Sequence, residues 1–138
     1  NDDNGSFYNS DENLVYSIAD ATTNSAKVDF LFYLGATNGS SLAAPDDTDA
    51  QTVYPDLAGW ATNNATRFMD SGMGSTEFDQ IGNKYMFPDF TGDASAMTQL
   101  SSGDVIMFKT ANDKLGYIKI NSINGRGDQT NIDVIVEM

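Results

Sequence analysis

The side chains of this 138-residue chain that could do chemistry are mainly carboxylates, because the sequence contains neither histidine nor cysteine. Without histidine, the usual general base and the Ser–His and Cys–His nucleophile systems are absent. Without cysteine, disulfides and thiolate-bound zinc are excluded. Two carboxylates can hydrolyse a glycosidic bond without histidine, but no spacing among the many Asp residues singles out one pair. The sequence therefore predicts no catalytic residue, and we expect a protein that is not an enzyme.

The densest acidic cluster is Asp46-Asp47-Thr48-Asp49. Calcium prefers several oxygen ligands from one loop, so Asp46, Asp47 and Asp49 are the candidate metal ligands. The cluster lacks the Asp-x-Asp-x-Asp-Gly loop with a distal Glu. Helix capping explains it equally well, since Asp46 or Asp47 could be the N-cap of a short helix over residues 49–54. Apart from calcium, no cofactor is predicted.

Trp60, the only tryptophan, and nearby Tyr54 are candidates for an aromatic platform that stacks against a sugar ring or another flat ligand. Asn63 and Asn64 would supply hydrogen bonds beside that platform. The alternative is that Trp60 is an anchor in the core or at its rim, which is the commoner role of a lone tryptophan. The sequence leaves both interpretations open.

The net charge of −13 limits the classes of partner. Such a chain repels phosphate backbones and anionic membrane surfaces, so nucleic-acid binding and peripheral membrane binding are disfavoured. The acidic residues are nearly all Asp, with Glu only at positions 12, 77 and 137. Asp favours turns and caps whereas Glu favours helix interiors, so this composition indicates a loop-rich β protein.

Alternating apolar residues near both ends of the chain predict the strands that would position these side chains. Residues 104–110, 115–120 and 130–138 form a predicted three-stranded antiparallel meander with one face buried and one in water. Residues 13–19 and 26–34 are further predicted strands. In the second, Asp29 is partly buried and is expected to be hydrogen-bonded or paired, most simply with Lys27 or a neighbouring strand. Arg126-Gly127-Asp128 is the tripeptide that integrin ligands use, but it lies in a predicted hairpin tip, and we interpret it as ordinary turn residues.

The predicted fold is a mainly β, antiparallel sandwich of jelly-roll type with one or two short helices in the middle of the chain. Short helical segments are predicted over residues 49–54 and 75–81, the second capped by Ser75 or Thr76. Residues 1–12 form a predicted flexible lead-in, and residues 13–138 a single domain. No apolar run approaches the ~20 residues that span a bilayer.

Several runs together resemble uncharacterised surface or periplasmic lipoproteins of Bacteroides-type bacteria. The resemblance covers nearly the whole chain and is carried by these runs: Lys27-Val-Asp-Phe-Leu-Phe-Tyr-Leu-Gly-Ala-Thr-Asn38, Leu42-Ala-Ala-Pro-Asp-Asp47, Val53-Tyr54, Gly59-Trp60, Asn64-Ala-Thr66, Gly103-Asp-Val-Ile-Met-Phe-Lys109 and Leu115-Gly-Tyr-Ile-Lys119. It implies a lipidated cysteine just upstream, with Asp2-Asp3 as part of an acidic surface-export signal. It transfers no catalytic residues.

These observations predict a non-catalytic, extracytoplasmic module that binds a glycan or another surface ligand. It would be an outer-membrane or cell-surface lipoprotein, held at the membrane only by its lipid anchor. The alternative is a structural or adhesive cell-surface protein whose partner is a protein.

Overall fold

The computed structural model of the protein describes residues 5–137, so residues 1–4 of the predicted lead-in, with Asp2-Asp3, and Met138 of the last predicted strand lie outside the described residues. The fold is mainly β, with two antiparallel sheets packed face to face, which confirms the predicted sandwich. The strands within this part of the chain are β1 (Phe7–Asn9), β2 (Leu14–Tyr16), β3 (Phe30–Gly35), β4 (Gly39–Ala43), β5 (Arg67–Asp70), β6 (Ala96–Met97), β7 (Val105–Lys109), β8 (Leu115–Ile123) and β9 (Thr130–Val136). The short helices are α1 (Ile18–Thr23), α2 (Thr48–Val53) and α3 (Ser75–Asp79).

The first sheet has the order β2-β1-β3-β4-β6, and the second has the order β5-β7-β8-β9. Strands β7, β8 and β9 are the predicted meander, with a register shift between Ile120 and Ser122 that marks a β-bulge. The N-terminal and C-terminal apolar blocks therefore pack as facing sheets, as the alternation of their residues predicts.

An aromatic cluster occupies the centre of the core between the sheets. The Phe30 ring stacks on Tyr8 at a centroid distance of 4.8 Å. Across the sandwich it meets Phe108 edge-on at 5.5 Å. Aliphatic residues of both sheets surround the rings, namely Leu42, Ile106, Ile118, Ile120, Ile132 and Val134. Because Phe30 lies on β3 and Phe108 on β7, this cluster joins the two sheets.

Each sheet also carries a second apolar layer on its outer face. Helices α1 and α2 and the 3-10 helix Pro55–Gly59 cover the first sheet through Ala21, Ala50 and Leu57. The chain between Met73 and Phe90 covers the second sheet, where it buries Phe78 against Val105, Met107 and Tyr117. The predicted wet face of the meander is therefore partly covered, and Ile135, which interrupts its polar pattern, packs in this layer.

The N-terminal region differs from its predicted arrangement. Phe7–Asn9, within the predicted lead-in, form β1, because Phe7 and Tyr8 enter the apolar layers on opposite faces of the sheet. Of the predicted strand 13–19 only Leu14–Tyr16 is extended. Helix α1 follows at once, because the Ser17 side chain caps it by accepting a hydrogen bond from the Asp20 N–H.

The middle of the chain matches its predicted helices and contains an additional strand. Helix α2 is capped by Asp47, one of the two predicted N-caps. Helix α3 begins at Ser75 after an N-cap position occupied by Gly74, so neither Ser75 nor Thr76 caps it. The additional strand is β4, which the sequence pattern did not predict and whose Leu42 is buried in the central core.

The two sheets are joined along one side and open along the other. On the joined side the Phe68 N–H of β5 donates to the Ala94 carbonyl, just before β6, at 2.9 Å. On the other side lie β2 and β9, the edge strands of their sheets, and no strand within residues 5–137 pairs with the outer edge of either. On this open side the central core approaches solvent between two strand edges.

Candidate functional site

The predicted aromatic platform is part of the layer on the outer face of the first sheet. Trp60 is only 7% exposed, and its indole N–H donates to the Thr22 hydroxyl at 3.0 Å. Its ring lies 5.5 Å from Phe7, and the Tyr54 ring meets the same Phe7 edge-on at 5.1 Å. The structure thus brings Trp60 and Tyr54 to one place but buries the indole, as the core-anchor interpretation predicts.

The two candidate asparagines hold loops in place. The Asn63 side-chain amide donates to the carbonyls of Pro45 and Leu57, at 3.1 and 2.8 Å. The Asn64 amide donates to the carbonyls of Ala26 and Val28, at 3.0 and 2.8 Å. These contacts give the predicted ligand-binding residues structural roles, so the prediction that they bind a ligand gains no support from them.

The three candidate calcium ligands point to three different partners. Asp46 accepts two hydrogen bonds from the Arg67 guanidinium, at 2.7 and 2.8 Å. Asp47 accepts from the backbone N–H of α2 at Ala50 and from the Ser95 hydroxyl.

The third candidate, Asp49, accepts from the Asn38 amide at 2.9 Å. No group of three or more acidic side chains in the described residues is arranged to hold a metal ion. In this fold the three carboxylates serve an ion pair, a helix cap and a loop hydrogen bond, and the predicted calcium site stays a prediction.

Asp29 is a buried carboxylate, only 8% exposed. Its Oδ2 accepts from both the backbone N–H and the hydroxyl of Ser10, at 2.7 and 2.6 Å, next to the neighbouring strand β1. This confirms the predicted hydrogen-bonded Asp29, whereas Lys27, the other predicted partner, pairs with Glu12. Burial raises the pKa of Asp29 above its ordinary value despite these hydrogen bonds. Both of these hydrogen bonds connect Asp29 to the residue that follows β1, which is a structural role.

The concave feature that best fits a ligand lies on the open side of the sandwich, and we call it the edge groove. Its deeper part is a cavity of about 280 Å³ between the edges of β2 and β9. Apolar side chains form its walls, namely Tyr8, Val15, Phe30, Phe32, Leu42 and Ile132. Polar residues form its rim, namely Ser6, Asp128, Gln129 and Thr130. Apolar walls with a few polar groups at the mouth are typical of ligand sites.

The edge groove continues along β9. A second concavity of about 510 Å³ shares Tyr8, Val15 and Ile132 with the first and runs on past Val134 and Ile135. One end of the groove is closed by the turn before β9, where the Ser40 hydroxyl donates to the Gly127 carbonyl at 2.7 Å. The groove is therefore a channel that follows the strand direction.

The exposure of Val15 shows that residues 5–137 leave this channel uncovered. It is paired with Tyr8 across β1 and β2, so its side chain lies on the same inner face of the sheet. Tyr8 is only 7% exposed, yet Val15 is 57% exposed. A side chain that faces the core but remains this exposed belongs to a site that the described chain does not fill.

The Arg126-Gly127-Asp128 tripeptide lies in the turn at the rim of the edge groove. Gly127 has a φ of 78°, which a glycine adopts readily. The Asn124 side chain donates to the Asp128 carboxylate at 2.6 Å and lowers the pKa of that carboxyl below its ordinary value. The tripeptide thus forms part of a hydrogen-bonded turn, as interpreted from the sequence, and its Asp128 contributes negative charge to the groove.

A second exposed apolar feature lies over the outer face of the second sheet. Met86 is 88% exposed and Tyr85 is 37% exposed. The Tyr85 hydroxyl is 2.9 Å from the Tyr117 hydroxyl, and this contact together with burial raises the pKa of Tyr117. A concavity of about 560 Å³ there is lined by residues that include Tyr85, Phe87, Ile135, Asn83 and Glu137.

The distribution of charge restricts what either surface can bind. Six of the seven Lys and Arg side chains already form ion pairs with carboxylates, namely Lys27, Arg67, Lys109, Lys114, Lys119 and Arg126. The carboxylates in excess leave a strongly negative surface. A neutral or basic ligand is favoured electrostatically, and an anionic ligand is disfavoured.

Comparison with known proteins identifies a shared fold. The chain is similar to a solved structure of a DUF4466 family protein from Parabacteroides merdae, with a TM-score of 0.62 and 16% sequence identity. The match covers 95% of this chain and 49% of that protein, so the chain spans about half of its length. No family model and no curated protein matches the sequence. Within residues 5–137 no helix has the length and hydrophobicity to span a membrane. At this level of identity the similarity shows the fold alone, and the chain shares its two-sheet architecture with a protein of a Bacteroides-type bacterium.

Proposed function

We propose that this protein is a non-catalytic, extracytoplasmic surface module that binds a ligand in the edge groove. The observation that carries the proposal is Val15, a core-facing side chain that is 57% exposed between two strand edges. The apolar walls favour a ligand with apolar groups, and the negative surface favours one that is neutral or basic. A protein partner satisfies both conditions better than a sugar does, because the aromatic rings of the groove are buried among each other and present little flat surface.

The proposed location is the cell surface, through a lipid anchor attached upstream of these residues. Two observations support it. The first is the resemblance of the sequence to surface or periplasmic lipoproteins, and the second is the shared fold with the Parabacteroides protein. Mass spectrometry of the protein isolated from its own cells tests this part, because a lipid-modified N-terminus upstream of Asn1 would support it and an unmodified one would contradict it.

A pair of variants tests ligand binding in the edge groove. N-phenyl-1-naphthylamine is a neutral, apolar fluorescent probe, and we expect saturable binding with a fluorescence increase. Val15→Glu should weaken that binding about tenfold or more, because it removes apolar wall and places a carboxylate in the groove.

The matched control is Leu14→Glu, which makes the same change one residue earlier. Leu14 is 45% exposed on the opposite face of β2, so the control should bind the probe like the unmodified protein. Equal binding by both variants, or no saturable binding at all, would contradict the proposed site.

Glycan binding is the second candidate function, and Tyr85 is the observation that favours it. Its partly exposed ring lies beside Asn83 and Glu137, which offer hydrogen-bonding groups next to an aromatic surface. Neutral glycans on an array should then bind the protein and lose binding with Tyr85→Ala, whereas Val15→Glu should leave the signal unchanged. An array without any Tyr85-dependent signal would remove this candidate.

A further inference from the structure

We propose that the edge groove accepts an extended segment of a partner protein as an added β-strand beside β9, with alternate apolar side chains of that segment in the groove and basic or polar ones facing solvent. This inference rests on the proposed function and specifies its partner. It follows from the backbone of β9, the shape of the groove and the charge around it.

Within residues 5–137 the outer edge of β9 presents unpaired backbone groups at the residues whose side chains face the core. The Glu137 N–H donates to the Leu115 carbonyl of β8 at 2.9 Å, which defines a hydrogen-bonded pair of the antiparallel ladder. Hydrogen-bonded pairs recur at every second residue. The backbone N–H and C=O groups of Ile132, Val134 and Val136 therefore point away from β8, toward the open side.

The side chains of these same residues face the core between the sheets, where all three pack against the central cluster. A segment that hydrogen-bonds to their backbone groups would place every second side chain on that inner face. There it would meet Tyr8 and Val15 across the groove. Only an extended polypeptide can supply both the regularly spaced hydrogen bonds and the alternating apolar side chains.

The dimensions of the groove agree with this occupant. Same-face side chains on a strand are about 7 Å apart, from a rise of about 3.3–3.4 Å per residue. The two concavities lie in succession along β9, one at Thr130 and Ile132 and the other at Val134 and Ile135. An added strand would lie beside first one and then the other, and its inward-facing side chains would meet Ile132 and Val134, while the second concavity also reaches Phe78 and Ile135 of the outer layer.

The edge of β9 lacks the protection that usually prevents such pairing. Edge strands of natural proteins are commonly kept unpaired by Pro, Lys, a bulge or extreme shortness. Strand β9 is seven residues long and reads Thr-Asn-Ile-Asp-Val-Ile-Val, without Pro or Lys. Its register shift in the pairing with β8 falls near the Thr130 end, so the stretch from Ile132 to Val136 is regular.

Charge favours a basic partner over a second copy of this chain. Asp128 lies on the rim of the groove and Asp133 lines its continuation along β9. Each is within 4 Å of one cation, Arg126 and Lys119 respectively, so the attraction for a basic partner comes mainly from the net charge of the whole chain. Two copies of a chain with net charge −13 repel each other, whereas Lys or Arg flanking an apolar segment would be attracted. The partner is therefore a chain segment with alternating apolar residues and positive flanks.

Three capped heptapeptides test the proposal by isothermal titration calorimetry. KVTVTVK has the required alternation and positive ends, KTVVVTK has the same composition without the alternation, and EVTVTVE has negative ends. We expect KVTVTVK to bind with one site. The other two should bind at least about tenfold more weakly, from lost apolar burial and from charge repulsion, respectively.

N-methylation identifies the hydrogen-bonding edge of the peptide. In an antiparallel pairing the valine N–H groups face β9, and in a parallel pairing the threonine N–H groups do. Two methylated forms of KVTVTVK are compared, one N-methylated at the central valine and one at a neighbouring threonine. Only one of the two should bind more weakly, at least about fivefold, as expected for the loss of one backbone hydrogen bond. An equal effect of both methylations would overturn strand addition.

The groove variants separate this inference from the proposed function. Val15→Glu should abolish peptide binding, and the control Leu14→Glu should retain it. Binding of N-phenyl-1-naphthylamine without any KVTVTVK binding would overturn strand addition while leaving the proposed function intact, and binding of neither would overturn both. Dimerisation through β9 in the absence of peptide, seen by sedimentation, would overturn the choice of a basic partner.

Discussion

Replacing Gly116 with Ala is expected to destabilise this protein, although Ala normally suits a strand better than Gly. Gly116 lies on β8 directly opposite Phe108 of β7. A Cβ atom added at Gly116 would lie 2.5 Å from two carbons of the Phe108 ring and 2.6 Å from the Ile135 carbonyl oxygen. Real Cβ atoms essentially never approach other heavy atoms this closely.

Neither neighbour can move away freely. Phe108 is fully buried and contacts Phe30 in the central cluster, and Ile135 is held in the ladder between β8 and β9. Overpacking of a core costs about 1–3 kcal/mol. The intrinsic preference for Ala over Gly offsets about 0.5–1 kcal/mol of that cost. The expected net loss in the free energy of unfolding is therefore about 1–2 kcal/mol.

Urea denaturation followed by Trp60 fluorescence measures this loss, and Gly82→Ala is the matched control. A Cβ at Gly82 would meet nothing within 4 Å, so its substitution should change stability by less than about 0.5 kcal/mol. Phe108→Leu combined with Gly116→Ala should cost at least about 0.5 kcal/mol less than the sum of the single changes, because the ring clash disappears. A Gly116→Ala variant as stable as the unmodified protein, or strict additivity with Phe108→Leu, would refute this reasoning.

Three further predictions concern polar groups in or beside the core. Thr22→Val removes the acceptor of the Trp60 indole N–H and should lower the free energy of unfolding by about 1 kcal/mol, measured by urea denaturation; an unchanged midpoint would contradict this. Thr66→Val should stabilise the protein by about 1 kcal/mol, since the Thr66 hydroxyl is buried without a hydrogen-bond partner among the described residues; differential scanning calorimetry would show the opposite shift if that hydroxyl were satisfied. Because the pKa of Asp29 is raised in the folded protein, the stability that this group contributes is present at low pH and is lost as pH rises through its folded pKa. The stability of the unmodified protein relative to Asp29→Asn should therefore fall between acidic and neutral pH, and a rise over that range would rule out a raised pKa.

Much of the fold could be predicted from local patterns. Period-two alternation located the final meander, and the run around Phe30 located the central strand of the other sheet. The Asp before residues 48–53 predicted the cap of α2. The strands that were missed or misplaced are short or polar: β1 has three residues and β4 contains Gly and Ser. Pairing with distant neighbours stabilises such strands, and a local pattern does not report that pairing.

The candidate site was less accessible to sequence reasoning. Trp60 and the acidic cluster stand out by residue type, yet the structure uses Trp60 as an anchor and Asp46 and Asp47 as an ion-pair partner and a cap. Val15 and Ile132 are ordinary strand residues with no chemical signal. The sequence of β9 does indicate an unprotected edge strand, because β9 ends the meander and contains neither Pro nor Lys.

By itself the sequence determined that this chain has no imidazole or thiol group and that its charge is strongly negative, because these properties depend on residue types alone. It also determined the faces of the longest strands, because these depend on spacing along one strand. The tertiary structure decided which strands became edges and that β2 and β9 remain apart. Strand order depends on pairing between residues far apart in the chain, such as Leu42 and Met97. The groove depends on packing that brings Val15 and Ile132, more than a hundred positions apart, to its two sides. The groove exists only because the two sheets close on one side and stay open on the other.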